Sequence, residues 1–163
     1  MTLQTYGLDQ IAQKLVLLVP QSAYEANKAE VVYRTQDVLR EAYKMRTTVA
    51  YGLERFWGEH LRLGANTDEG RYWKDVWDAL AEDLLKPAGI ELPNDDVVVT
   101  PVPKDTSKDV KNRIEKENSR QICEMADKLW QFAQQEPHNQ RVALAVLTQL
   151  CDCMVWWTQR YKN

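Results

Sequence analysis

The side chains best suited to do chemistry in this chain are cations. Arg40, Lys44, Arg55 and Arg62 align along one side of residues 23–63 if that stretch is a single helix, with Tyr33 and Tyr51 among them. Arg113, Lys116 and Arg120 align in the same way on a later helix. Cations spaced along a rod with aromatics between them can follow a phosphate backbone without reading base sequence. Asp37, Glu41 and Glu59 lie among them, so a mixed solvated surface is the competing reading.

Other chemistries have weaker support. Cys151 and Cys153 are two apart on a helix and point about 200° apart, so with Cys123 and His138 they do not converge as zinc ligands. No metal or other cofactor is expected. Asp75, Asp78 and Glu82 lie along one helix face and Glu124 with Asp127 along another. Their spacing is loose and Lys74 and Lys128 sit beside them, which suits a solvated face. There is no G-x-S-x-G elbow, Walker loop or G-x-G-x-x-G. Arg55 followed five residues later by His60 is similar to the R-x₄₋₆-H motif of the HEPN ribonucleases, which are small helical bundles. That resemblance implies metal-independent RNA cleavage with Arg55 and His60 flanking the phosphate. In a continuous helix the two diverge by about 140°. It stands as the enzyme alternative.

Helices must position these residues. Residues 142–157 read VALAVLTQLCDCMVWW, the most apolar run in the chain. Wound as a helix, Arg141, Thr148, Asp152 and Gln159 share one narrow stripe and apolar side chains cover most of the rest, so other helices must wrap it. Trp156 lies beside the stripe and Tyr161 near the end, which points to a contact with a neighbouring subunit at both residues. Upstream, Leu8, Ile11, Ala12, Leu15 and Val19 mark a first helix stopped by Pro20, with Ser22 as the next N-cap. Val31, Val38, Ala42, Met45, Val49, Leu53, Phe56 and His60 mark a long second helical stretch, with Gly52 and Gly58 as points where it bends or breaks. Thr67 or Asp68 caps a third helix, which Lys86-Pro87-Ala88-Gly89 stops. Thr106 or Ser107 caps a fourth, whose charged first half projects from the core. The expected fold is all-α, one domain over 1–163, about five helices with an irregular Pro-rich insertion at 87–107.

Composition fits that class. With 163 residues the chain has room for one sizeable core. A net charge of −3 argues against nucleic-acid binding over the whole surface and leaves room for a local basic face. Three cysteines are an odd number, which favours a reducing compartment over a disulfide framework. The N-terminus has no signal-like apolar core, and the C-terminal apolar run carries Gln149 and Asp152, too short and polar to span a membrane. A cytoplasmic protein is expected.

The order of elements resembles the small helical subunit of type III-B CRISPR effector (Cmr) complexes. Gly52-Leu53-Glu54-Arg55-Phe56-Trp57 closes a long helix before the Gly64 turn. Tyr72, Val76, Leu80, Ala81 and Leu84 pattern the next helix. Arg141-Val142-Ala143-Leu144 opens a last helix that ends Trp156-Trp157-Thr158-Gln159-Arg160-Tyr161. A divergent small subunit of a related CRISPR effector complex fits as well. The resemblance implies a non-catalytic scaffold in antiviral defence, stacking along the complex. Its partners would be other subunits, copies of itself, and RNA, as the guide–target duplex or the displaced strand. A helical adaptor without nucleic-acid contact is the remaining alternative.

Overall fold

The computed structural model describes residues 5–17, the first two as backbone, and 33–162. The fold is all-α. Helix α1 (Thr5–Leu17) buries Leu8, Ala12, Leu15 and Val16. The expected stop at Pro20, the cap at Ser22 and residues 23–32 of the second stretch lie outside the described residues.

The second stretch is not one helix. It divides into α2 (Gln36–Leu39), α3 (Glu41–Thr48), a 3₁₀ turn (Val49–Tyr51) and α4 (Leu53–Leu63). The break is at Gly52, whose φ of +99° is open to glycine and strained for other residues. Just before it, the Thr47 and Thr48 hydroxyls donate back to the Lys44 carbonyl at 2.9 and 2.7 Å. Gly58 sits inside α4 without interrupting it. Val38, Ala42, Met45, Val49, Leu53 and Phe56 are all buried, so the apolar stripe carries on across the kink.

Gly64 (φ +102°) ends α4, and the Thr67 hydroxyl caps α5 (Asp68–Asp78) by accepting from the Gly70 amide at 3.0 Å. Gly70 is buried where α5 crosses the end of α4. A Cβ there would run into the Gly64 carbonyl and come within 2.9 Å of the His60 carbonyl oxygen. α5 continues as a π-helix (Ala79–Leu85) and a 3₁₀ turn (Lys86–Ala88). Gly89 (φ +81°) closes it, its amide on Lys86 and the Ile90 amide on Leu85, both at 3.0 Å. Tyr72, Trp73, Val76, Trp77, Leu80, Leu84 and Leu85 form its buried side, as their spacing predicts.

The Pro-rich stretch runs extended and antiparallel along α6 (Lys108–Gln135). Asp95 pairs with Lys128, the Val98 amide donates to Gln121 at 3.2 Å, and the Thr100 amide and carbonyl both bond the Asn118 side chain at 2.9 Å. Successive amides of an extended chain point to opposite sides. Pro101 and Pro103, which have no N–H, therefore fall on the register that faces away from α6. Ser107 caps α6, accepting from the Val110 amide at 3.4 Å. Only Met125, Leu129 and Phe132 of α6 are buried, so its first half stands off the core.

Helix α7 (Pro137–Tyr161) is the central element, packing against α1, α3 and α6. It buries Ala143, Val146, Leu147, Leu150, Cys151, Met154 and Thr158, whose hydroxyl donates to the Met154 carbonyl at 2.7 Å. Among the described residues, Arg34, Glu41 and His60 also lie in the core. Arg34 donates to the Leu15 carbonyl at 2.5 Å and to Asp75 at 2.9 Å, with its guanidinium 4.0 Å over the Tyr72 ring. Glu41 accepts from Trp73 Nε1 at 2.8 Å and from Lys44 at 2.9 Å. His60 donates from Nδ1 to the Trp57 carbonyl.

Candidate nucleic-acid interface

The break at Gly52 separates Arg40, the link between α2 and α3, and Lys44 of α3 from Arg55 and Arg62 of α4, so the four do not lie on a single helix. Arg40 is exposed, 3.8 Å from Asp37. Lys44 is held by Glu41. Arg62 makes a three-bond grip on Glu59 at 2.7 to 2.9 Å, and this raises its pKa. Arg55 is exposed with its guanidinium 5.1 Å from the Tyr51 ring, and no carboxylate among the described residues pairs with it.

On α6 the three expected cations share the projecting half, yet they are not equivalent. Arg120 is clasped between Glu117 and Glu124, and its hydrogen bond holds the Glu117 carboxyl down to about 2. Arg113 and Lys116 are exposed and pair with no carboxylate among the described residues. Intramolecular carboxylates therefore occupy Lys44, Arg62 and Arg120, and leave Arg55, Arg113 and Lys116 to solvent.

Of the two expected neighbour contacts, Trp156 is 46% exposed and Tyr161 is half-buried. Tyr161 stacks on Trp157 at 5.8 Å and accepts from Gln13 of α1 at 3.3 Å. Trp157 meets Trp156 edge-on at 4.7 Å, and its Nε1 donates to Asp9 at 3.0 Å. Two cations missing from the sequence-based set complete this region. The Arg160 guanidinium lies 3.9 Å over the Trp156 ring, and Lys162 Nζ lies 5.7 Å over Tyr43 of α3. Trp156 and Arg160 are four apart on a helix, a spacing that brings side chains together and was a readable signal. The Tyr43–Lys162 pair depends on how α3 docks on α7 and has no local signature.

The ribonuclease-like pair does not assemble. His60 is 4% exposed and burial lowers its pKa, whereas Arg55 stands in solvent. Asp75, Asp78 and Glu82 each pair with a different cation, Arg34, Lys74 and Lys86. Cys151 is buried, its thiol pushed up to about 12, Cys153 is half-buried and Cys123 is exposed. Among the described residues no three His, Cys, Asp or Glu side chains could hold a metal together, and no helix is long and apolar enough to cross a membrane. A cleft of about 630 Å³ between α1 and the π-helix is lined by Ile11, Leu15, Ala79 and Pro87, with Lys14, Glu82 and Asp83. Comparison with protein-family models, curated proteins and solved structures finds no match to this chain.

Proposed function

We propose that the chain is a non-catalytic scaffold subunit of an RNA-guided, CRISPR type III-like effector complex, contacting RNA phosphates in the cytoplasm. The observation that carries this reading is the first half of α6. It stands off the core and displays Arg113 and Lys116 without carboxylate partners among the described residues. An intramolecular carboxylate offsets part of a cation's attraction for a phosphate, so unpaired cations on a projecting rod are the most available to a nucleic acid. Arg55 adds a third such charge. Trp130 on α6 and Val98 and Val99 on the segment laid along it are exposed, which suits contact with neighbouring subunits.

The test is Arg113→Glu combined with Lys116→Glu in the full chain. Both residues are exposed, so the fold should survive. RNA binding should weaken strongly and by the same factor across unrelated sequences. Unchanged binding would remove this face from the proposal.

A further inference from the structure

We infer that the outward face at the C-terminal end of α7 is a stacking platform for single-stranded RNA, with Trp156 as its principal residue. The inference rests on the RNA-contact reading above and narrows it to an unpaired strand. Trp156 on this face carries the Arg160 guanidinium 3.9 Å over its ring, and at the end of the helix Lys162 lies 5.7 Å over Tyr43 of α3. Neither cation pairs with a carboxylate among the described residues, unlike Lys44, Arg62 and Arg120. The platform is braced. Trp157 backs Trp156 edge-on and is itself fixed to Asp9 of α1, so little side-chain freedom is lost on binding.

Flat faces beside unpaired positive charge match a ligand that has exposed π-faces and regularly spaced anions. A single strand offers both, and its bases stack on aromatic rings or on the plane of a guanidinium. A base laid on Arg160 would extend the existing Trp156–Arg160 stack with the Arg160 charge beside its phosphate. A duplex keeps its base faces stacked inside and gains nothing from Trp156. An apolar protein neighbour would have to bury both cations without partners, which is costly.

The full chain is titrated into a labelled, unstructured single-stranded RNA and into the same sequence as a duplex, with fluorescence anisotropy as the readout. Trp156→Ala removes the ring that holds the Arg160 plane in place and should weaken single-strand binding about tenfold, the order of one lost stack, while leaving duplex binding unchanged. Trp156→Phe should retain most of the affinity. Arg160→Ala, at an exposed position, should lose affinity for the single strand even if Trp156→Ala is poorly folded. Single-strand binding by Trp156→Ala equal to wild type, or wild-type binding to the duplex alone, would overturn the platform and assign this face to another partner. Wild-type binding to neither RNA would overturn the RNA-contact reading itself.

Discussion

Arg34, in the segment just before α2, pairs with Asp75 of α5 at 2.9 Å, with the Arg34 side chain 1% exposed and Asp75 22% exposed. Arg34 also takes up the carbonyls at the end of α1, through its side chain to Leu15 and its backbone amide to Leu17 at 3.2 Å. Burial raises the Asp75 pKa, and the Arg34 hydrogen bond opposes that shift. Removing the cation leaves a largely buried carboxyl unpaired. Arg34→Met should cost about 3–5 kcal/mol, and adding Asp75→Asn should recover part of it. Urea unfolding of the two variants checks this, and a double variant no more stable than Arg34→Met would count against the pairing.

His60 should make the fold sensitive to mild acid. Its pKa lies below the ordinary 6.5 chiefly because burial disfavours the charged ring. The unfolded chain takes up a proton near that value and the folded chain does not. The stability it supports is therefore present above 6.5 and is lost as pH falls through the folded pKa. The slope in that window is at most about 1.4 kcal/mol per pH unit. His60→Asn should flatten it. An unchanged slope between the two proteins in urea unfolding would place the sensitivity elsewhere.

Two glycines within one helical hairpin should respond in opposite directions. Gly58 lies inside α4, and a Cβ added there would meet nothing within 4 Å. Gly58→Ala should stabilise by about 0.5–1 kcal/mol through lost backbone freedom in the unfolded chain. Gly70→Ala would drive a methyl into the backbone of Gly64 and His60. It should destabilise by about 2 kcal/mol or more, because the obstacle is backbone and cannot turn aside. Paired thermal melts decide it, and a neutral Gly70→Ala would mean that the two helices do not approach so closely.

Much of the fold was readable because burial follows helical spacing. The α7 core, the Thr67 and Ser107 caps, the Gly89 stop and the inner side of α5 all came from local pattern. Gly52 and Gly58 were both readable as break points, but not which of them breaks the helix, since Val49, Leu53 and Phe56 keep the same apolar spacing on both sides of Gly52. Arg34 and Glu41 were missed as core residues, although a signal existed. They occupy the stripe that runs through Val38, Ala42 and Met45, and a charge on an apolar stripe is a candidate for a buried pair. The candidate site was harder to read. Which cations remain unpaired depends on rotamers and on neighbours three or four residues away. Arg113 and Arg120 look alike in the sequence, and only the surrounding glutamates separate them.

Salt dependence of RNA binding tests the central claim most directly. The full wild-type chain is titrated into single-stranded RNAs of unrelated sequence over a range of salt concentrations. The expected result is a linear fall of log affinity with log salt, with a slope of about −0.7 for each phosphate neutralised and little difference between sequences. Arg113→Glu with Lys116→Glu should make that slope shallower. No binding at low salt, or an affinity indifferent to salt, would contradict a scaffold that holds RNA by its phosphates.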